Sequence, residues 1–342
     1  MMQTHLLLPE SDVNAVQIAA GLIKQGEVVG MPTETVYGLA ANALDGRAVA
    51  KIFHAKGRPQ DNPLIVHIAD ATQLNTLCPA VPPQAARLAE AFWPGPLTLI
   101  VPKAACIPEE VCCGLDTVGV RLPAHPLARA LIRAAGVPLA APSANLSGRP
   151  STTTAAHVLR DMDGRIAAVL DGGPCGVGVE STVVTLAQDR PRLLRPGGVT
   201  LEQLQGVLGT VELDRALYEK IGDEARVSAP GMKYRHYAPK APVTVVRGQP
   251  QAAAAYIKAH AAPGDGVLCF DEYRDCFSAC VVACFGAQAD LAAQARAVFD
   301  CLRAFDDTAV RQIWAQCPPN DGLGLAVANR IQKAAGFRTV DV

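Results

Sequence analysis

The chain has 342 residues, half of them apolar, enough for two domains with cores of their own. A formal net charge of -1 excludes a global field that would draw it onto nucleic acid or an anionic membrane, so any basic site must be local. Eleven cysteines without a disulfide rhythm, a first decapeptide with no cationic start, and no apolar stretch near the roughly 20 residues of a membrane span predict a reduced, cytoplasmic protein.

In chain order, Ser11 or Asp12 is placed to cap a first helix with the apolar stripe Val13, Val16, Ala20 and Ile23, and Gly26 suits its end. Val28–Met31 reads as a strand stopped by Pro32. Residues 46–55 read as a helix and Leu64–Ile68 as a β-branched strand. A helix near 84–92 precedes the strand Leu97–Val101. The strand Val118–Leu122, a helix near 126–135 and the strand Pro138–Ala141 follow, then short strands near 167–170, 182–186 and 192–195. Helices alternating with short apolar strands predict an α/β layer fold, and the crowding of the last strands predicts a mixed sheet. Periodicity fails from about Leu213 to Pro242, where Lys233, Tyr234, Arg235, His236 and Tyr237 lie between prolines. Such aromatic and cationic density predicts a segment that binds something. Strand 243–247, helix 250–260, strands 266–270 and 281–285, helix 287–304, strand 311–316 and helix 325–335 then predict a smaller second α/β domain.

Several polar blocks stand at the ends of predicted strands, where ligands bind in α/β folds. Pro32-Thr33-Glu34-Thr35-Val36-Tyr37-Gly38 offers hydroxyls to a small polar ligand, or is an ordinary turn in which Glu34 caps the next element. Lys56-Gly57-Arg58 puts two cations on a turn after a helix. They suit phosphate, or are a solvated pair favoured by the helix dipole. His67 is a strand histidine, either a satisfied core residue or a ligand group. Arg121, in an apolar strand before Pro123, must be paired, by a bound carboxylate or by a structural acid such as Asp116. Ser143 and Asn145 sit in a polar loop, and residues 176–182 form a glycine-rich run into a strand, either an anion cradle or a hairpin turn. Neither a Walker A pattern nor GxGxxG occurs, so a nucleotide would need another cradle. Cys276, Cys280 and Cys284 lack a second cluster to complete a zinc site.

Taken together, PTETVYGLAANA (32–43), KGRPQDNPLIVHI (56–68), WPGPLTLIV (93–101), VGVRLPAHP (118–126), APSANLSGRPS (141–151), GVESTVV (178–184) and LLRPGG (193–198) resemble the threonylcarbamoyl-AMP synthase family, built on the YrdC-like domain. SAPGMKYRHYAP (228–239) resembles its longer, two-domain branch, and GLGLAVANRIQKAAG (322–336) matches that branch loosely. The resemblance implies a YrdC-like twisted mixed sheet with flanking helices over residues 1–212. It implies a linker that lids the site over 213–242 and a smaller Rossmann-like α/β domain over 243–342.

It also implies a reaction: L-threonine, bicarbonate or CO2, and ATP give threonylcarbamoyl-AMP and pyrophosphate. The product passes to proteins that complete a tRNA threonylcarbamoyladenosine, with direct tRNA contact left open. Carried over by position, Thr35, His67, Arg121, the Ala141 backbone and Ser181 hold L-threonine. Arg58, Asn62, Thr117, Ser143, Asn145, Ser151, Arg195 and Tyr237 hold ATP, with Lys56 and Arg58 acting on the phosphates. Mg²⁺ is expected to ride on the nucleotide, with no protein ligands. An RNA-binding module would want interleaved basic and aromatic stripes, and a hydrogenase-maturation carbamoyl-transfer module would want zinc-finger-like cysteine pairs and an acylphosphatase-like segment. The sequence reads as having none of these.

Overall fold

Short apolar runs separated by polar turns are the pattern of a layered sheet, and two sheets result. The computed structural model describes residues 3–219 and 236–342. The larger sheet has eleven strands: β1 (His5–Leu7), β2 (Val29–Met31), β3 (Gly38–Asn42), β4 (Ile65–His67), β5 (Leu97–Pro102), β6 (Thr117–Arg121), β7 (Leu139–Ala140), β8 (Ala168–Leu170), β9 (Thr182–Thr185), β10 (Arg192–Arg195) and β11 (Glu212–Leu213). Their order across the sheet is β1-β8-β2-β3-β7-β4-β6-β5-β9-β10-β11. Parallel pairs (β4 with β6, β5 with β9) are interleaved with antiparallel ones (β5 with β6, β9 with β10), so the sheet is mixed. This pairing has one consequence for function. The carboxyl ends of β4, β6 and β10 and the amino end of β9 all fall on the same rim.

Helices cover both faces. On one face Val49, Ile52 and Phe53 of the helix Gly46–Lys56 pack with Val66, Leu99 and Val120. On the other, Ala19, Ala20 and Ile23 pack with Met31, Leu131 and Ile132. Each fully buried aliphatic chain contributes about 1.5–3 kcal/mol, so these two layers hold the rim rigid. The first helix spans Ala15–Lys24, later than the predicted cap implied. Asp12 instead closes a turn, its carboxylate accepting from the Asn14 amide at 2.8 Å. The sequence reading also missed β1, β3 and the helices Ala155–Met162 and Leu201–Leu208.

The second sheet has β12 (Val243–Arg247), β13 (Gly266–Cys269), β14 (Val281–Cys284), β15 (Ile313–Gln316) and β16 (Thr339–Asp341), ordered β14-β13-β15-β12-β16. All its pairs are parallel, as crossover helices such as Pro250–His260 and Leu291–Ala304 require. Its core does not stop at the domain edge. Phe270, Phe299, Leu302 and Ile331 form one apolar cluster with Val36, Val179 and Tyr237, which flank the rim of the first sheet. Gly178 fits this seam tightly: a Cβ there would lie 2.3 Å from Arg296 Cα. Among the described residues no helix is long and apolar enough to cross a membrane.

Candidate active site

The rim and the loops that follow β2 and β7 line one cleft that is partly open to solvent. Its lining includes Thr35, Lys56, Arg58, His67, Arg121, Ala141, Ser143, Asn145, Ser181, Arg195 and Tyr237, eleven of the positions singled out from sequence. Three others lie outside the lining. Asn62 is buried behind Arg58 and offers it a backbone carbonyl at 3.0 Å. Thr117 opens β6 opposite Pro102, at the far end of the strand from Arg121. Ser151 is buried and gives its hydroxyl to the Glu180 carboxylate.

The helix Gly46–Lys56 delivers the first two cations. Asp45 caps its start, accepting from the Arg47 amide at 2.9 Å, and Gly57 ends it at φ 61°, a left-handed conformation that glycine adopts readily. The Arg58 amide then returns to the Phe53 carbonyl at 3.0 Å, which turns the chain toward the cleft. Lys56 is buried and its Nζ lies 2.5 Å from the Ser143 carbonyl and 2.6 Å from that of Asn145. Burial, then the charge of Arg58, pushes the ammonium well below its ordinary value, against the opposing pull of Asp161 and Glu180. Lys56 therefore fixes the loop as well as charging it. Within that loop Ser143 Oγ donates to Asn145 Oδ1 at 2.5 Å, and Asn145 Nδ2 donates to the Leu146 and Arg149 carbonyls. Burial lowers Arg58 to about 10 and lowers Arg195 as well.

On the opposite wall, parallel pairing of β4 with β6 sets His67 beside Arg121. Arg121 donates from Nη1 to Thr35 Oγ1 at 2.8 Å and from Nε to the Gly95 carbonyl at 3.3 Å, and its Nη2 lies 2.6 Å from Glu34 Oε1. The structural acid of Arg121 is thus Glu34 and not Asp116, and Glu34 pairs with Arg121 rather than capping the next element. Burial would raise the Glu34 carboxyl, but Arg121 outweighs it and holds the group below its ordinary value. Thr33 Oγ1 donates to the Val36 carbonyl at 2.6 Å, which leaves Thr35 as the donor in the 2.9 Å contact between the two hydroxyls. The Thr35 oxygen is then locked, donating to Thr33 and accepting from Arg121.

His67 is also fixed. Its Nδ1 lies 3.2 Å from the Ile65 carbonyl, which can only accept, so Nδ1 carries the hydrogen and Nε2 is an acceptor. Burial, then the charge of Arg121, lowers this imidazole to about 3. Ser181 completes the wall: its Oγ lies 2.7 Å from Thr98 Oγ1 and 3.1 Å from Arg195 Nη2, and its carbonyl accepts from Arg195 Nε at 3.0 Å.

Four cations thus converge, Lys56, Arg121 and Arg195 buried and Arg58 half-buried, and two acids beside them are each held by an arginine: Glu34 by Arg121 and Glu180 by Arg330, at 2.7 Å. The surplus positive charge suits an anionic ligand beside a small polar one. Sequence reasoning missed Glu180 as a lining residue and Arg330 as its partner. Of the expected lid, Lys233, Tyr234 and Arg235 lie outside the described residues. Tyr237 is buried at φ 63°, its ring 5.2 Å from that of Phe299, and the next residue's amide donates to the Gly148 carbonyl at 2.9 Å.

Residues 21–197 match the family described as "Telomere recombination", and residues 199–336 match the family described as "Threonylcarbamoyl-AMP synthase, C-terminal domain". The chain is similar to the threonylcarbamoyl-AMP synthase of Bacillus subtilis, with 50% identity over 97% of this chain and 96% of that protein. It is similar to the synthase of Pyrococcus abyssi, with 48% identity over 96% of each chain. Among solved structures, the P. abyssi Sua5 protein complexed with L-threonine superposes with a TM-score of 0.89 at 45% identity, over 99% of both chains.

Proposed function

The chain belongs to the threonylcarbamoyl-AMP synthase family, and from that premise we propose that the rim cleft is where the adenylate is made. The protein is an L-threonylcarbamoyladenylate synthase, a nucleotidyltransferase of the tRNA threonylcarbamoyladenosine modification. The observation that carries the site assignment is the convergence of the Thr35, His67, Arg121 and Ser181 wall with the Lys56, Arg58, Ser143 and Arg195 wall on one cleft.

L-Threonine sits on the first wall. Arg121 gives hydrogen bonds to Thr35 and Gly95 and pairs with Glu34 by charge, while its Nη2 has no hydrogen-bond partner among the described residues, so donors remain for the substrate carboxylate. Neutral His67 points an acceptor nitrogen at the amine. With a pKa of about 3 it orients the amine without retaining its proton. Ser181 and the backbone of Ala141 hold the remainder of the amino acid.

ATP lies on the second wall, over Lys56, Arg58, Ser143, Asn145 and Arg195, with Tyr237 closing over it and the 213–242 segment serving as its lid. Asn62, Thr117 and Ser151 support that wall from outside the cleft. Bicarbonate, on protonation, loses its hydroxide as water to give CO2, the neutral threonine amine adds to its carbon, and the amine proton leaves to solvent, giving a carbamate. A carbamate oxygen attacks the α-phosphorus in line, one P–O bond forms, the α–β bridge breaks, and pyrophosphate leaves. No covalent group is required of the protein. Holding the two reactants in line and balancing phosphate charge supply the acceleration. Among the described residues no cluster of three metal-ligating side chains occurs, and both nearby carboxylates are engaged by arginines. In this reading Mg²⁺ enters with the triphosphate as part of the substrate. The adenylate then passes to proteins that transfer the threonylcarbamoyl group to tRNA.

The test is pyrophosphate release by the purified protein with ATP, bicarbonate and L-threonine, each omitted in turn. Release that stops without threonine is expected; ATP turnover indifferent to threonine would overturn the reading.

A further inference from the structure

Arg330 lies in the helix Gly324–Ala334 of the second domain, fully buried, and takes no part in lining the cleft. Its guanidinium nevertheless crosses to the first domain. Nε donates to Glu180 Oε2 at 2.7 Å, and Nη2 reaches the Glu180 carbonyl at 3.4 Å. The guanidinium carbon stands 5.5 Å from the centre of the Tyr237 ring, within cation–π range. Glu180 and Tyr237 both line the cleft. The other Glu180 oxygen accepts from Ser151, and the next residue, Ser181, is gripped by Arg195 through its hydroxyl and its carbonyl.

A buried carboxylate in a cleft built for a triphosphate is a liability. It repels phosphate and competes with it for cations. Glu180 is tolerable there because a charge from the second domain is bonded to one of its oxygens and Ser151 donates to the other. We propose that Arg330 is a positioning residue for adenylation: it neutralises and aims Glu180, so that this carboxylate does not oppose the phosphates, and it supports the Tyr237 ring from the second domain. The second domain thereby contributes to nucleotide binding through one guanidinium that never touches the nucleotide. This rests on reading the cleft as the ATP site.

The test uses the full chain as Arg330→Met, Arg330→Lys, Glu180→Gln and the double variant Glu180→Gln/Arg330→Met. Dissociation constants for ATP and for L-threonine are measured separately by calorimetry, alongside pyrophosphate release. In Arg330→Met an unpaired carboxylate faces the phosphates, so the ATP constant is expected to rise about 10–100-fold, the scale of a lost buried charge partner. The threonine constant should change by less than about 3-fold, because the threonine wall is held by Glu34, Thr35 and Gly95 instead. Removing the carboxylate too should return the double variant to within about 5-fold of the parent for ATP. Arg330→Lys keeps the charge and should fall between parent and Met. If Arg330→Met proves insoluble, the Lys variant and the double variant carry the same comparison.

An unchanged ATP constant in Arg330→Met overturns the proposal. So does a double variant as weak as the single, or equal loss of threonine and ATP affinity. A parent protein that binds threonine but neither binds ATP nor releases pyrophosphate would instead remove the reading of the cleft.

Discussion

Replacing His67 by Gln should abolish an acid-side weakness of the first domain. His67 is buried in β4, and burial together with Arg121 takes its pKa from 6.5 to about 3. In the unfolded chain the imidazole takes up a proton near its ordinary value. Between those two values the unfolded state therefore binds a proton that the folded state refuses, and folding loses stability as pH falls from 6.5 toward 3. One pKa unit corresponds to 1.36 kcal/mol, so the 1.5 units between pH 6.5 and pH 5 cost the parent about 2 kcal/mol. Glutamine cannot titrate, so the variant escapes this loss while sharing every other ionisable group. Each domain carries one tryptophan, Trp93 in the first and Trp314 in the second. Urea unfolding followed by Trp93 fluorescence in a Trp314→Phe background isolates the relevant domain. The stability gap between parent and variant, measured at pH 7 and at pH 5, should shift by about 2 kcal/mol in favour of the variant. A gap that is the same at both pH values would refute the claim that His67 is held neutral by burial. The same neutrality predicts no inflection near pH 6.5 from this residue in kcat/KM.

Three further outcomes follow from the geometry. Arg121→Lys loses the planar fork that holds Thr35, Glu34 and Gly95, so L-threonine affinity should fall about 10–100-fold while ATP affinity holds, as read by calorimetry. Lys56→Met strands the Ser143 and Asn145 carbonyls without their donor. A stability loss of about 2–4 kcal/mol in denaturant unfolding should accompany at least about a 100-fold loss of pyrophosphate release. Gly178→Ala combines a backbone at φ 84° with a Cβ 2.3 Å from Arg296 Cα, so overpacking should cost about 2–4 kcal/mol and raise hydrogen exchange along Leu291–Ala304, the helix that carries Phe299 against Tyr237.

What could be read from the sequence was whatever a short stretch of chain decides for itself. The helix Pro126–Ala135 announces both its ends, with proline in its first turn and Gly136 at φ 74° after its last. β6 carries the apolar run Val118-Gly119-Val120 and needs no distant partner to be recognised. β3 is different. Gly38-Leu39-Ala40-Ala41-Asn42 has neither alternation nor β-branched residues, and it is a strand because β2 and β7 pair with it on either side. The helix Leu201–Leu208 did carry a legible signal, the Thr200 and Gln203 capping box, which the apolar pattern alone passed over.

The same division runs through the site. Loops crowded with hydroxyls and cations identified most of the cleft, because polar groups at strand ends have few structural reasons to gather. Which charge answers which was not legible, because it depends on how far the chain folds back. Arg121 meets Glu34 from 87 positions away, and Arg330 meets Glu180 from 150. In a cleft built to hold phosphate, the decisive question about each acid is whether an arginine has already neutralised it, and only the tertiary structure supplies that arginine. The second domain makes the point most sharply. Its core resembles any small parallel α/β layer, yet it sends two buried guanidiniums across the seam, Arg303 to Asp161 and Arg330 to Glu180, and the second of these decides whether the neighbouring cleft is hospitable to a triphosphate.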